Sequence, residues 1–140
     1  MLIPKKVKHR KWQTARIHPT KMVKAKEKGS TVSFGQFGLK STSYHRIASN
    51  QIEAARRAMS RHLGKTGRAW IRIFPDRPVT KKPAEVKMGK GKGDPQHFVC
   101  EIFPGRIIFE VDGVTEEVAR EALRKAGTKL PVKTKVVARD

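Results

Sequence analysis

The chain has 140 residues, of which 32 are Lys or Arg and 12 are Asp or Glu, and its formal net charge is +20. This length suits one compact domain, and a hydrophobic content of 37% supplies one modest core but not two. The charge predicts a polyanionic partner, with nucleic acid favoured over a membrane surface, because no segment approaches the roughly 20 apolar residues that cross a bilayer and no long helix combines a cationic face with a bulky aromatic one.

Residues 1–29 are predicted to form a basic arm. The first 28 residues hold ten Lys or Arg and one acid, without a sustained apolar period. Met1-Leu2-Ile3-Pro4 leads directly into lysines, unlike a secretory signal, so we expect the protein to stay in the cytoplasm. An aromatic residue among cations suits phosphates and unstacked bases together, which favours an arm that orders on binding over a solubilising tail. The residues of this set are Lys5, Lys6, Lys8, Arg10, Lys11, Trp12 and Arg16.

Residues 30–140 are predicted to form a single globular domain that begins with a short strand, Thr31–Phe34. Gly35 and Gly38 follow this strand closely. Glycines within a strand pattern indicate a bulge or a close approach of two backbones. We therefore expect the main chain to be tightly packed at this point.

Ser49–Leu63 is predicted to be the first long helix. Ser49 or Asn50 is expected at the N-cap, Glu53 in the first turn, and Gly64 just beyond the end. The apolar residues at helical spacing are Ile52, Ala55, Met59 and Leu63.

The same helix carries a second, basic side. Arg57 and Arg61 lie one turn apart, with Arg56 on their flank. This ridge either meets RNA while the apolar stripe packs on a sheet, or is simply a solvated face. The sequence alone favours neither.

A strand is predicted at Ala69–Phe74, and Pro75-Asp76-Arg77-Pro78 ends it. Residues 77–95 are then predicted to form a cationic projecting loop, since six basic residues accompany one acid between Arg77 and Lys92. At its tip, Met88-Gly89-Lys90-Gly91-Lys92-Gly93 alternates glycine with lysine. Such a run lets the main chain expose N–H groups while each lysine brings an ammonium group to an oxyanion. Taken alone, it fits a phosphate contact and a solvated turn about equally.

Two strands, His97–Phe103 and Arg106–Val111, are predicted next. The two residues Pro104-Gly105 between them indicate an antiparallel hairpin. Cys100 is the one cysteine of the chain, which excludes an intramolecular disulfide and a cysteine-based zinc site and indicates a reducing compartment. Strand alternation places it with Phe98 and Ile102, as a small buried hydrophobic residue.

A second long helix is predicted to begin after Thr115 as N-cap, with Glu116 and Glu117 in its first turn and Gly127 at its end. Val132–Val137 is predicted to be the last strand. The apolar stripe of the helix is Val118, Ala119, Ala122, Leu123 and Ala126.

The charge is unevenly distributed along the chain. Residues 1–100 hold 24 basic and 5 acidic residues, a net of +19, whereas residues 101–140 hold 8 and 7, a net of +1. We expect the acid-rich part to face mostly away from nucleic acid. Its relevant acids are Glu101, Glu110, Asp112, Glu116, Glu117 and Glu121.

The motifs of common enzyme sites do not fit this sequence. Gly64-Lys65-Thr66 resembles the end of a phosphate-binding loop, but Met59 stands where that loop needs glycine, and the triplet follows a helix instead of preceding one. The glycine-lysine run lacks the spacing of a dinucleotide fingerprint, and the five histidines are scattered without a metal-binding pattern. We therefore predict no enzymatic activity, no catalytic residues, no metal, no cofactor and no small-molecule substrate.

Several motifs, in their order and spacing, closely resemble the bacterial large-subunit ribosomal protein L-sixteen family over essentially the whole chain. The resemblance implies an α+β fold of the hammerhead type, with two helices packed on a mixed, mostly antiparallel sheet. The motifs are Leu2-Ile3-Pro4-Lys5, Val32–Leu39, Gln51–Met59, Phe74–Pro78, Lys82-Pro83, Met88–Gly93 and Lys129-Leu130-Pro131.

The resemblance further implies a structural part in the cytoplasmic ribosome of bacteria, with large-subunit rRNA, tRNA and neighbouring ribosomal proteins as partners. It implies rRNA contact by the arm and by the ridge Arg56, Arg57 and Arg61, together with a part in late subunit assembly. A free, nonspecific RNA chaperone is the alternative. Proximity to A-site and P-site tRNA, near the peptidyl-transferase region, is implied for Arg77, Lys81, Lys82, Lys87, Met88, Gly89, Lys90, Gly91, Lys92 and Gly93.

Overall fold

The computed structural model describes residues 1–14, 18–22 and 28–140. Three helices and seven strands lie in these ranges. They are α1 (Pro19–Met22), β1 (Phe37–Ser41), β2 (His45–Ala48), α2 (Ser49–Leu63), β3 (Arg68–Ile71), β4 (Arg77–Lys81), β5 (Asp94–Ile102), β6 (Ile107–Asp112), α3 (Glu116–Gly127) and β7 (Thr134–Ala138).

The strands form two separate sheets. A four-stranded sheet has the order β3-β6-β1-β7, and a three-stranded sheet has the order β2-β5-β4. Every pairing between described strands is antiparallel. The predicted α+β class is confirmed, although two antiparallel sheets stand where one mixed sheet was expected.

The predicted hairpin around Pro104-Gly105 is wrong, because β5 and β6 belong to different sheets. The turn itself is present, with the Arg106 N–H donating to the Phe103 carbonyl over 3.3 Å. Gly105 then donates to the carbonyl of Ser41, at the end of β1. This contact leads the chain out of the three-stranded sheet and into the four-stranded one, so the strands on either side of the turn separate.

Helices α2 and α3 pack against each other, and their apolar stripes form one core with both sheets. Helix α3 lies on β1, β6 and β7, while α2 contacts β3 and the strands β2 and β5 of the other sheet. The predicted α2 stripe is fully confirmed, and Ala119, Ala122, Leu123 and Ala126 of α3 are buried as predicted. Strand β6 is buried along nearly its whole length, as expected for a central strand.

The start of α2 differs from the prediction. The helix begins at Ser49, and Ala48 occupies the N-cap position, where its N–H donates to Oε1 of Gln51 over 2.9 Å. The Ser49 hydroxyl is buried and caps nothing among the described residues. Glu53 lies beyond the first turn and instead binds Arg56. The Gly64 position at the helix end is confirmed.

The strand predicted at Thr31–Phe34 is wrong, since β1 begins only at Phe37. The N–H groups of Ser33 and Phe34 donate to the buried carboxylate of Glu110, so they are not available to a strand ladder. The close approach predicted at Gly35 is confirmed, because a Cβ there would lie 2.5 Å from the Val111 carbonyl oxygen.

Strand boundaries also differ from the predictions. Strand β3 ends at Ile71, three residues early, and β7 begins at Thr134. Arg77–Lys81, expected in the projecting loop, is strand β4 and pairs with β5. Cys100 is half-buried against the core, and this desolvation is the main reason that the pKa of its thiol is raised to about 11.

Candidate nucleic-acid interface

The loop between β4 and β5, residues 82–93, has an unusual backbone. We call it the Gly-Lys loop. Gly89, Lys90 and Gly91 have φ angles of +92°, +58° and +105°, so three consecutive residues lie in the left-handed region. Only glycine adopts this region without cost, and Lys90 is the one described non-glycine residue with a positive φ. Local backbone strain of this kind is concentrated at functional positions.

The side chains of the Gly-Lys loop point a cationic, partly apolar surface at solvent. Met88 is 95% exposed, and Val86 beside it is 50% exposed. Lys82 is less exposed, because its ammonium group donates to the Gly89 carbonyl and ties the base of the loop to its tip. The exposed cations of the loop are Lys87, Lys90 and Lys92, and Lys81 is exposed beside them at the end of β4.

The neck of the loop is closed by Gly93. A Cβ at Gly93 would lie 2.8 Å from the main-chain carbonyl group of Lys81, so the two ends of the loop approach one another more closely than another residue allows. The neck therefore holds the tip of the loop on the paired strands β4 and β5.

The basic arm lies along this loop. Arg10 forms an ion pair of 3.4 Å with Asp94 at the loop's C-terminal end, where both side chains are largely exposed. The ammonium group of Lys11 donates over 3.0 Å to the Lys92 carbonyl, and Lys92 in turn donates to the Trp12 carbonyl. Cations that the sequence places 80 residues apart are thus brought together.

A buried arginine fastens the arm at Gln13 and Thr14. Arg77 is only 8% exposed, and its guanidinium donates to the carbonyls of Gln13 and Thr14 over 2.6 and 2.8 Å. The same guanidinium lies 5.4 Å from the centre of the Trp12 ring, as in a cation–π contact. Glu101 binds Arg77 over 2.9 Å. These bonds use Arg77 for holding the arm.

The α2 ridge is partly neutralised by its own helix. Glu53 binds Arg56 over 2.5 Å and Arg57 over 3.1 Å, and the Arg56 hydrogen bond is the largest cause that lowers the pKa of Glu53 to about 2. The Arg57 side chain is nevertheless 73% exposed, and Arg61 is exposed as well. The ridge therefore presents three cations, and one carboxylate holds two of them, Arg56 and Arg57, in place.

The remaining predicted residues divide into two groups. Lys5, Lys6 and Lys8 are exposed along the arm. Arg16 lies outside the residues that the structure describes.

The acid-rich region shows why its charge does not oppose a polyanion as a block. Glu110 is fully buried and binds Arg72 over 3.1 Å, while Glu101 is engaged with the guanidinium of Arg77. On α3, Glu116 and Glu121 pair with arginines of their own helix. Within residues 101–140, the exposed glutamates are therefore those of α3.

Sequence reasoning did not identify the acids that organise the arm. Glu101 was noted only as a negative charge and Asp94 was not singled out, yet both contact arginines from distant segments. In the folded chain Arg46 on β2 lies opposite Glu101 on β5, and a cross-strand ion pair follows from that pairing. The arm contacts had no local sign in the sequence.

A metal site and a membrane-spanning helix are both absent from residues 1–14, 18–22 and 28–140. In these ranges no group of three or more His, Cys, Asp or Glu could hold a metal ion. No helix in the same part of the chain is long and apolar enough to cross a membrane.

Comparisons with known proteins agree over almost the entire chain. The sequence model of the family described as ribosomal protein L16p/L10e matches residues 4–137. The large ribosomal subunit protein uL16 of Afipia carboxidovorans is 56% identical over 139 residues, covering 99% of this chain and 98% of the relative. Proteins of the same name from Rhodopseudomonas palustris BisA53 and Maricaulis maris are 57% and 55% identical, with the same coverage.

These matches confirm the resemblance that the sequence motifs indicated. Ribosomal proteins of this kind are structural components, so the family, and not the lack of a recognisable site, confirms the prediction that the chain is not an enzyme. With 134 residues matched to the family and relatives of more than half identity along the full length, the chain belongs to the ribosomal protein L16p/L10e family.

Proposed function

We propose that this protein is a structural component of the large ribosomal subunit in the bacterial cytoplasm. The observation that carries the proposal is the full-length similarity, at 56% identity, to a protein named as a large-subunit component. The net charge of +20 agrees with it, because a chain that repels itself this strongly is best stabilised by a polyanion.

Large-subunit rRNA is proposed to bind the arm and the α2 ridge. Exposed Lys and Arg side chains neutralise phosphates and release their counterions, which gives affinity without reading a base sequence. Trp12 is 40% exposed and can stack on an unpaired base next to those phosphates. This part of the surface supports late assembly, because it neutralises converging RNA segments.

The Gly-Lys loop is proposed to contact tRNA in the A-site and P-site region. Its exposed cations lie on a tip whose left-handed backbone leaves N–H groups uncovered by any Cβ at Gly89 and Gly91. Among the residues that the family resemblance placed near tRNA, Arg77 has a different part, since it is buried beneath the arm. The loop acts on tRNA through charge and main chain, and no bond is made or broken.

Sedimentation of a cell lysate through a sucrose gradient in high salt tests the proposal. Nonspecific phosphate binding weakens steeply as salt rises, whereas a protein docked specifically within a subunit is retained. We expect the protein to stay in the large-subunit peak. Release to the top of the gradient, with rebinding to free RNA at low salt, would contradict the proposal and favour the RNA chaperone.

A further inference from the structure

We infer that the arm and the Gly-Lys loop form one composite RNA-binding surface, and that Glu101 is the positioning residue that holds its two parts together. The RNA part of this inference rests on the proposed function, whereas the docking of the arm does not. The inference adds a shared rRNA contact where the arm meets Lys92 and Asp94, and it leaves the tip of the loop free to contact tRNA.

Glu101 lies between two arginines. Arg46 Nη2 lies 3.4 Å and Arg77 Nη1 lies 2.9 Å from the same oxygen, Oε1 of Glu101. The side chain of Glu101 is 22% exposed and that of Arg77 is 9% exposed. The Arg46 side chain is more exposed, at 31%. Two guanidinium groups held this close together repel each other unless a carboxylate lies between them. Glu101 supplies that carboxylate.

The two arginines hold the arm through its main-chain carbonyls. Both donate to the carbonyl of Thr14, Arg46 over 3.0 Å and Arg77 over 2.8 Å, and Arg77 also binds the Gln13 carbonyl. Main-chain carbonyls at these positions are thus held by charged donors, which form stronger hydrogen bonds than neutral ones. The arm is fastened to the domain at this point.

The arm fastened in this way also contacts the loop. With residues 13 and 14 fixed, Trp12 lines a cleft of about 580 Å³ together with Arg77 and Glu101. Lys11 and Arg10 then reach the Lys92 carbonyl and the Asp94 carboxylate. The cations Arg10, Lys11 and Lys92 therefore lie side by side, close enough for one RNA backbone to contact arm and loop together.

The substitution Glu101→Gln separates this inference from simple electrostatics. Removing an acid from a protein that binds RNA strengthens binding if charge alone decides. If Glu101 positions the arm, the same substitution weakens binding to a fluorescein-labelled RNA hairpin, and we expect a loss of about tenfold, or ~1.4 kcal/mol. Glu117→Gln on exposed α3 is the charge-matched control and is expected to change affinity less than about twofold.

A double-mutant cycle tests whether the loss acts through the arm. In a chain that lacks residues 1–14, Glu101→Gln should cause no further loss of affinity. An increase of affinity in the full-length Glu101→Gln variant, or an equal loss with and without the arm, would overturn the inference.

Measurements without RNA keep this test separate from the proposed function. The chain has two tryptophans, and 5-fluorotryptophan labelling gives one ¹⁹F resonance for Trp12 and one for Trp70. Glu101→Gln should move the Trp12 resonance toward its value in urea and leave the Trp70 resonance in place, as an internal control of the fold. An unmoved Trp12 resonance would overturn the inference.

Cross-linking of the unsubstituted chain covers the case in which Glu101→Gln damages the fold and moves both resonances. A short amine-reactive cross-linker should join Lys11 to Lys92, because the Lys11 ammonium group lies 3.0 Å from the Lys92 carbonyl. The absence of this product in RNA-free protein would show that arm and loop are apart, and would overturn the inference. If this product forms but the unsubstituted protein does not bind RNA, the ribosomal proposal is contradicted and the docking of the arm is not.

Discussion

Glu110 shows how a single buried acid determines the local path of the chain. It lies on the central strand β6, is 0% exposed, and accepts hydrogen bonds from the main chain at Ser33 and Phe34. Its ion pair with Arg72 compensates the charge, and Arg72 also lies 5.1 Å from the centre of the Phe34 ring. The segment that leads into β1 is therefore fixed by a carboxylate and not by strand pairing.

Loss of this carboxylate should destabilise the protein strongly. We expect Glu110→Ala to lower the free energy of unfolding by about 3 kcal/mol, because Arg72 and two N–H groups lose a buried partner. Urea unfolding of both proteins measures the change. Glu117→Ala on the exposed face of α3 is the control, with an effect within about 0.5 kcal/mol. Equal effects of the two substitutions would show that Glu110 is not needed for the fold.

Glu53 gives the protein a defined pH dependence. Its pKa is lowered from 4.5 to about 2, mainly by the hydrogen bond from Arg56. A carboxylate with a lowered pKa stabilises the folded state above its unfolded pKa, and this contribution disappears as the pH falls through the folded pKa. Wild type should therefore be more stable than Glu53→Gln at pH 7, with the difference shrinking between about pH 5 and pH 2. Thermal unfolding at several pH values measures it, and a constant difference would contradict the assignment.

At the scale of elements, the two long helices were predictable, whereas the short helix α1 and the partners of the strands were not. Periodicity of 3.6 residues located both ends of α2 and the buried face of α3, because helical contacts are local. The turn at Pro104-Gly105 is equally local, but a turn does not say whether its two strands pair with each other. Here each strand has better partners elsewhere, β2 and β4 for β5, and β1 and β3 for β6.

The candidate site divides in the same way. The Gly-Lys loop was located from composition and spacing, since glycine and lysine themselves dictate an exposed, cationic turn. The anchoring of the arm could not be located, because Arg77 and Gln13 are 64 residues apart and meet only in the folded chain. Buried ion pairs such as that of Glu101 depend on strand register, which the sequence does not fix to the residue.

The Gly-Lys loop should be separable from the rest of the protein in its effects. We expect Lys90→Ala with Lys92→Ala to weaken tRNA accommodation about tenfold, or ~1.4 kcal/mol, while incorporation into subunits remains largely intact. Both lysines are exposed on the loop, so the core is unaffected. Lys133→Ala with Lys135→Ala is the matched control, because these exposed lysines lie in the acid-rich part of the chain.

The measurements are tRNA binding to purified ribosomes and the amount of protein in the large-subunit fraction. Lost incorporation with normal tRNA binding in the surviving particles would reverse the assignment and give the loop a role in assembly.

For the whole molecule, exposed cations and exposed acids lie on different segments. The arm, the Gly-Lys loop and the α2 ridge carry exposed cations, whereas α3 carries exposed acids paired with arginines of the same helix. The arm, the Gly-Lys loop and the α2 ridge are thus suited to phosphate, whereas the acidic first turn of α3 is not. Half-buried Glu101 and fully buried Glu110 hold arginines in place, so their charges are paired within the fold.

Charge reversal on α3 tests this distribution. We expect Glu117→Lys with Glu121→Lys to change RNA affinity less than about twofold, because charges more than a Debye length of about 8–10 Å from the bound phosphates are largely screened. Fluorescence anisotropy at physiological salt measures the affinity. A large change in either direction would place α3 at the RNA interface.

The most direct measurement is a cryo-electron microscopy reconstruction of large subunits assembled with this chain and bound to tRNA. The account predicts that the arm and the Gly-Lys loop contact RNA together, with the loop tip toward tRNA and the acidic first turn of α3 directed away from phosphates. A reconstruction in which α3 lies against RNA while residues 82–93 extend into solvent would contradict it.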